Sequence, residues 1–142
     1  MKSMQVAALC GVVCLIVPAG SGAQPERRQG TVYRSPSGTT LRLMLDEGSV
    51  GRDLALGEIT FPPDADSGEH AHGALEVFYV LEGELEHVVN GRSERLRPGM
   101  SGYVRPPDRV RHRTGAAGAK AVVIWVPGDE AGRIVSRWKR EP

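Results

Sequence analysis

Cysteine is almost absent from this chain. Cys10 and Cys14 are the only two among 142 residues, and both fall within the first 23. Beyond residue 23 there is therefore no disulfide and no thiolate ligand. A cysteine-free domain is compatible with an oxidising compartment. It also restricts any metal to histidine and carboxylate donors. An excess of one charge is lacking too, with 18 basic residues against 17 acidic. No basic footprint for phosphate exists, so nucleic acid is not expected as a partner. Long apolar runs are missing as well. Val6 to Val17 is uncharged, but it is short of the ~18–20 residues that cross a bilayer, so no permanent membrane anchor is expected. Past residue 30 no stretch carries a long helical period.

What is present begins with a three-part leader. Lys2 supplies a positive start, Val6 to Val17 an apolar stretch, and Ser21-Gly22-Ala23 small residues at the −3 and −1 positions of a cleavage site. This pattern is that of a secretory signal peptide cleaved after Ala23, and it predicts a periplasmic or secreted protein. Loss of Lys2 with that segment leaves 17 basic and 17 acidic residues, a formal net charge of zero. The length predicts one domain. We divide it into a lead-in over 24–39, a β-domain over 40–128 and a tail over 129–142, where Glu130 to Lys139 could form a short helix.

Gly (18) and Pro (10) are frequent, as suits short strands joined by tight turns. Leu41, Leu43 and Leu45 alternate with Arg42 and Met44. Leu54 to Phe61 reads as a strand ended by Pro62-Pro63. Val77 to Leu81 is a continuous apolar run, as in a strand covered on both sides and stopped by Gly83. Leu85, His87 and Val89 alternate with Glu84 and Glu86, and Asn90-Gly91 is a strong hairpin signal. Ser93 to Leu96 returns, Pro98-Gly99 turns, Tyr103 to Arg105 leads into Pro106-Pro107, and Ala121 to Val126 is the last strong strand. Strands at spacings of about ten residues argue for an all-β sandwich or barrel.

One constellation carries chemistry. In an extended segment His70 and His72 share a face, because side chains alternate along a strand. Glu76 follows after a small turn and can add an anionic oxygen. A fourth donor must come from elsewhere, and His112, beyond the rigid Pro106-Pro107, is the best remaining candidate. Three imidazoles and a carboxylate suit one divalent transition metal, whether iron, manganese, nickel, copper or zinc. Without further context these residues would read as a solvated polar turn and a charged loop.

The spacing supplies that context. His70-x-His72-x-x-x-Glu76 followed by Gly83 resembles the first motif of the cupin superfamily, with every interval intact. Pro98-Gly99 through Pro106-Pro107 to His112 resembles the second motif. It departs from the pattern at Met100, where an acid is common, and at Ala116, where Asn is common. The resemblance covers roughly residues 54–126. It implies a single jelly-roll β-barrel of two packed antiparallel sheets, with His70, His72, Glu76 and His112 as metal ligands, and it implies a homodimer joined through the sheets.

Around this set, His87 shares parity with Leu85 and Val89. It is expected to face the interior and line the pocket as an acid–base group or a hydrogen-bond partner of the substrate. The plainer reading is a buried histidine satisfied by a neighbour. Phe78 and Val80 share parity with Glu76 and are expected to line an apolar pocket. Tyr103 and Trp125 read as core, Trp138 as a cap on a barrel end or a dimer seam, and Arg105 as a surface residue or a counter-charge for an anionic substrate. The resemblance points to a metal-dependent, dioxygenase-type oxidoreductase acting on a small organic molecule. A non-enzymatic barrel holding a metal or small ligand is the alternative.

Overall fold

The computed structural model describes residues 29–142. The leader at 1–23, and with it the expected cleavage site, lies outside the described residues. In chain order the elements are β1 (Thr31–Arg34), β2 (Thr40–Leu45), α1 (Glu47–Val50), β3 (Ala55–Phe61), β4 (His70–Ala71), β5 (Leu75–Val89), β6 (Arg92–Leu96), β7 (Ser101–Val104), β8 (Arg109–Val126), α2 (Asp129–Val135) and β9 (Lys139–Arg140). Every strand pair is antiparallel. The main order is β6-β5-β8-β3-β2-β1-β9, with β4 also on β8 and β7 also on β5. The fold is all-β, as the strand spacing predicts, and of the jelly-roll type that the resemblance implies. Its sheet extends past 40–128 on both sides, because β1 joins β2 and β9 joins β1.

Two long strands make the sheet fold over. β5 and β8 pair along most of their length, with register shifts between Val80 and Glu82 and between Gly83 and Leu85. Before the shifts β7 occupies the far edge of β5; after them β6 does. Gly83 thus bends the strand where the sequence suggested a stop. It has φ +72°, and a Cβ there would lie 2.2 Å from the Gly118 carbonyl oxygen. Only glycine combines that backbone with so close an approach.

Inward positions follow period 2. Leu41, Leu43, Ala55, Ile59, Phe61, Phe78, Val80, Leu85, Ala121, Val123 and Trp125 form one buried cluster. The Val77–Leu81 run is not covered on both faces, since Tyr79 and Leu81 stand exposed at 48% and 36%. Tyr103 is no core residue either. It is 58% exposed, because Gly102 and Val104 take the inward side of β7. A Cβ at Gly102 would press 2.6 Å from Leu96 and 3.1 Å from the His87 ring, so the small residue leaves His87 its room.

Candidate metal and ligand site

Pairing between strands distant in sequence brings the four motif residues to one end of the interior. β4 pairs with β8 through His70 opposite Val110, two residues before His112. His70 and His112 therefore share a face, with ring centroids 5.6 Å apart. The preceding loop pins this stretch: the Ser67 amide donates to the His112 carbonyl at 3.0 Å, and the His112 amide donates to Ser67 Oγ at 2.9 Å. Glu76 stands opposite Trp125 across β5 and β8, and the Trp125 indole Nε1 donates to Glu76 Oε1 at 2.8 Å. Glu76 and His112 are 2% and 3% exposed.

Outer partners set the histidine tautomers. A carbonyl or carboxylate oxygen only accepts, so the nitrogen facing it carries the proton. His70 Nδ1 donates to the Gly68 carbonyl at 3.0 Å, and His72 Nδ1 donates to Glu130 Oε1 at 3.2 Å. Both Nε2 atoms then turn inward. They stand 3.1 Å apart, and His72 Nε2 lies 2.9 Å from Glu76 Oε2. Neutral rings would thus aim two lone pairs and a carboxylate oxygen at one another, which is repulsive unless a cation sits among them. In the metal-free chain a proton can serve. Burial opposes charge on His72, but Glu76 and then Glu130 outweigh it and raise the group above its ordinary value of 6.5.

His112 behaves oppositely. Burial is the main cause that holds it well below 6.5, and the other three imidazoles, led by His87, add to this. Its Nε2 is buried with no hydrogen-bond partner. The sign for stability follows. A depressed His112 contributes stability that is present above pH 6.5 and lost as the pH falls towards its own value. A raised His72 contributes below pH 6.5 and loses this as the pH rises through its folded value. His112 is the more deeply buried of the two, and no carboxylate beside it offsets the cost of charging it. Chelator-treated protein should therefore lose stability in urea melts between pH 7 and pH 5, and His112→Phe should flatten that loss. Wild-type protein that gains stability on acidification would contradict a neutral, buried His112.

The cluster opens into a cavity of about 530 Å³. Phe78 lines it as expected, together with all four motif residues. Two expected lining residues do not. Val80 points inward but is wholly buried one step deeper in the core, beyond Phe78. His87 lies behind His112, directly opposite it across β5 and β8. Their rings stack at 5.2 Å and 21°, and His87 Nε2 donates to the Tyr103 carbonyl at 3.1 Å. His112 thus separates it from the cavity. Arg105 is on the outer surface, in a shallow groove beside Tyr103.

A model of the cupin domain matches residues 57–127. The chain belongs to the cupin family. Its fold is similar to that of a RmlC-like cupin from Shewanella frigidimarina (TM-score 0.62, 24% identity, 72% of this chain and 88% of that one). It is similar also to a predicted oxalate decarboxylase from Thermotoga maritima (TM-score 0.62, 16% identity, 69% and 92%). A third is the Bacillus subtilis oxalate decarboxylase, studied for its Mn(II) centres (TM-score 0.61, 20% identity, 69% and 28%). At such identities the likeness speaks for the fold. No curated protein sequence matches the chain.

Cupins commonly bind a divalent metal. In this cupin, no group of three or more His, Cys, Asp or Glu side chains among the described residues is set out as a ready-made ion site, although His70, His72 and Glu76 approach one another closely. The donors nevertheless fit such an ion. Two ligand atoms at right angles on one metal, each at about 2.0–2.2 Å, are roughly 3 Å apart, and the observed separations are 3.1 and 2.9 Å. Glu76 Oε2 and His112 Nε2 are buried without hydrogen-bond partners.

Several site residues escaped the sequence reading. Trp125 is a core residue, as its sequence context predicts, and it also orients Glu76, a relation visible only once β5 and β8 are in register. Glu130, 6% exposed on α2, bonds His72, the Gly73 amide and Arg133. Arg133, Arg137 and Trp138 line the cavity from the segment taken as a tail. The signals there are Trp138, which reads as a cap on a barrel end or a dimer seam, and the i,i+3 pair Glu130–Arg133.

Proposed function

We propose that this cupin holds one divalent metal on His70, His72, Glu76 and His112, and acts on a small organic molecule bound in the adjoining cavity. The observation that carries the reading is the convergence of two Nε2 lone pairs and a carboxylate oxygen, enforced by outer hydrogen bonds that serve no purpose in a solvated turn. Gly68 and Glu130 orient the two imidazoles. Trp125 holds one oxygen of Glu76 and so presents the other. His112 supplies an imidazole kept neutral by burial. The apolar walls exclude water from whatever binds above the cluster. A bound ion would supply Lewis-acid or redox chemistry, and dioxygenase-type oxidation is the reaction class we assign. The manganese of the Bacillus subtilis protein supports a divalent ion in this fold.

A non-enzymatic binding role is the second reading. It is favoured by the position of His87, which leaves the cavity without a free histidine beyond the ligand set. Export after cleavage at Ala23 belongs to the proposal and rests on the leader sequence alone. A homodimer is part of the proposal as well, and the exposed Tyr79, Leu81, Tyr103 and Val126 on the outer side of the β5, β7 and β8 region support it.

Elemental analysis of mature protein from its own export route, followed by oxygen uptake on phenols, diketones and small acids, tests the reading. Stoichiometric metal with turnover is expected. Stoichiometric metal with tight ligand binding and no uptake would favour the binding module. Absence of metal would overturn both the site and the catalysis.

A further inference from the structure

The charged groups lining the cavity, apart from the histidines, are two carboxylates, Glu76 and Glu130, and two guanidiniums, Arg133 and Arg137. They cancel. A divalent ion on the proposed ligands would leave the loaded cavity with two positive charges in excess, inside partly apolar walls where charge is poorly screened. The two arginines differ in their commitments. Arg133 pairs with Glu130, and its guanidinium lies over Gly73, where a Cβ would meet it at 2.4 Å. Arg137, in the turn after α2, is exposed and makes no hydrogen bond or ion pair among the described residues. Beside it the half-buried Trp138 and Ile134 pack against the core, and Phe61, Phe78 and Trp125 line the cavity further in.

From this arrangement we infer that the ligand class is a small organic carboxylate with an apolar or aromatic body. Its anionic group is held by Arg137 at the mouth, and its body lies along Trp138 towards the histidine cluster. This rests on the metal reading above, since the ion supplies the charge excess. A planar guanidinium suits a carboxylate through paired N–H donors, and the tryptophan ring suits the body. The role that the sequence allowed to Arg105 thus passes to a residue of the C-terminal segment.

The test compares phenylacetate with its neutral isostere phenylacetamide, by calorimetry and tryptophan fluorescence, on full-length mature protein of measured metal content. Phenylacetate should bind the loaded protein at least about tenfold more tightly than the amide. Chelation should weaken its binding. Arg137→Gln should remove most of the preference at unchanged metal content, and Arg137→Lys should keep part of it. Loaded wild-type protein that does not prefer the carboxylate, or an Arg137→Gln variant that retains the full preference, would overturn the anion site and leave the metal site standing. Wild-type protein that holds no metal would overturn both.

Discussion

The His70→Ala, His72→Ala double variant should hold essentially no metal, and its melting temperature should stop responding to metal. Both Nε2 atoms and both outer clamps disappear together, leaving Glu76 and His112 as a two-donor remnant. For the wild type, free metal at a hundredfold excess over its dissociation constant adds about 2.7 kcal/mol, or roughly 10 °C in Tm for a domain of this size. Metal-free wild type and metal-free variant should differ by only about 1 kcal/mol. The packing lost with two imidazoles is offset because the metal-free wild type must keep a proton among closely set, part-buried donors only 3.1 Å apart, a cost the variant does not carry. Differential scanning calorimetry with and without chelator checks this. A variant that keeps its metal-dependent shift would move the ion site elsewhere.

The contrast between that small metal-free difference and the large metal-loaded one separates a binding site from a structural polar cluster. If the four residues merely satisfied one another, deleting two would strand Glu76 and cost stability with or without metal. If they await a cation, the cost falls almost entirely on the loaded state.

Period-2 patterning made the strands legible, and the His-x-His…Glu…Gly spacing made legible the resemblance and three of the residues that converge, because both are local properties of the chain. His70, His72 and Glu76 lie within seven residues, so alternation places the two histidines on one face and a short turn keeps Glu76 near them. What escaped depends on long-range register. Val80 and Phe78 share parity, but only the depth of Phe78 shows which of them meets the cavity. Trp125 and Glu76 are 49 residues apart and become partners through the β5–β8 ladder. His87 and His112 face each other across that same ladder, which turns an expected pocket residue into one stacked behind His112. Tyr103 was misjudged because hydrophobic character says little about facing when small residues such as Gly102 occupy the inward side. Gly83 was read as a stop, since a glycine that bends a strand and one that ends it look alike in sequence.

Glu130 shows what the tail contributes, and its replacement is the second large effect expected. Glu130→Gln preserves shape and one acceptor oxygen but removes the charge that faces His72 Nδ1, and its amide nitrogen would meet the Arg133 guanidinium donor to donor. Outer carboxylates of this kind orient a ligating imidazole and make it more basic, and their loss typically weakens metal binding 10- to 100-fold, about 1.4–2.7 kcal/mol. The variant should still fold, because the cluster beneath α2 is apolar and untouched. Its loss should depend on pH. In the wild type Glu130 is one of the groups that raise His72, so protons compete with metal as the pH falls. Removing that carboxylate relaxes the competition, and the affinity gap between wild type and variant should be wider at pH 8 than at pH 6. Competitive chelator titrations at the two pH values measure this directly. An equal gap at both would assign Glu130 to packing of α2 alone, and no gap at all would detach the C-terminal helix from the site.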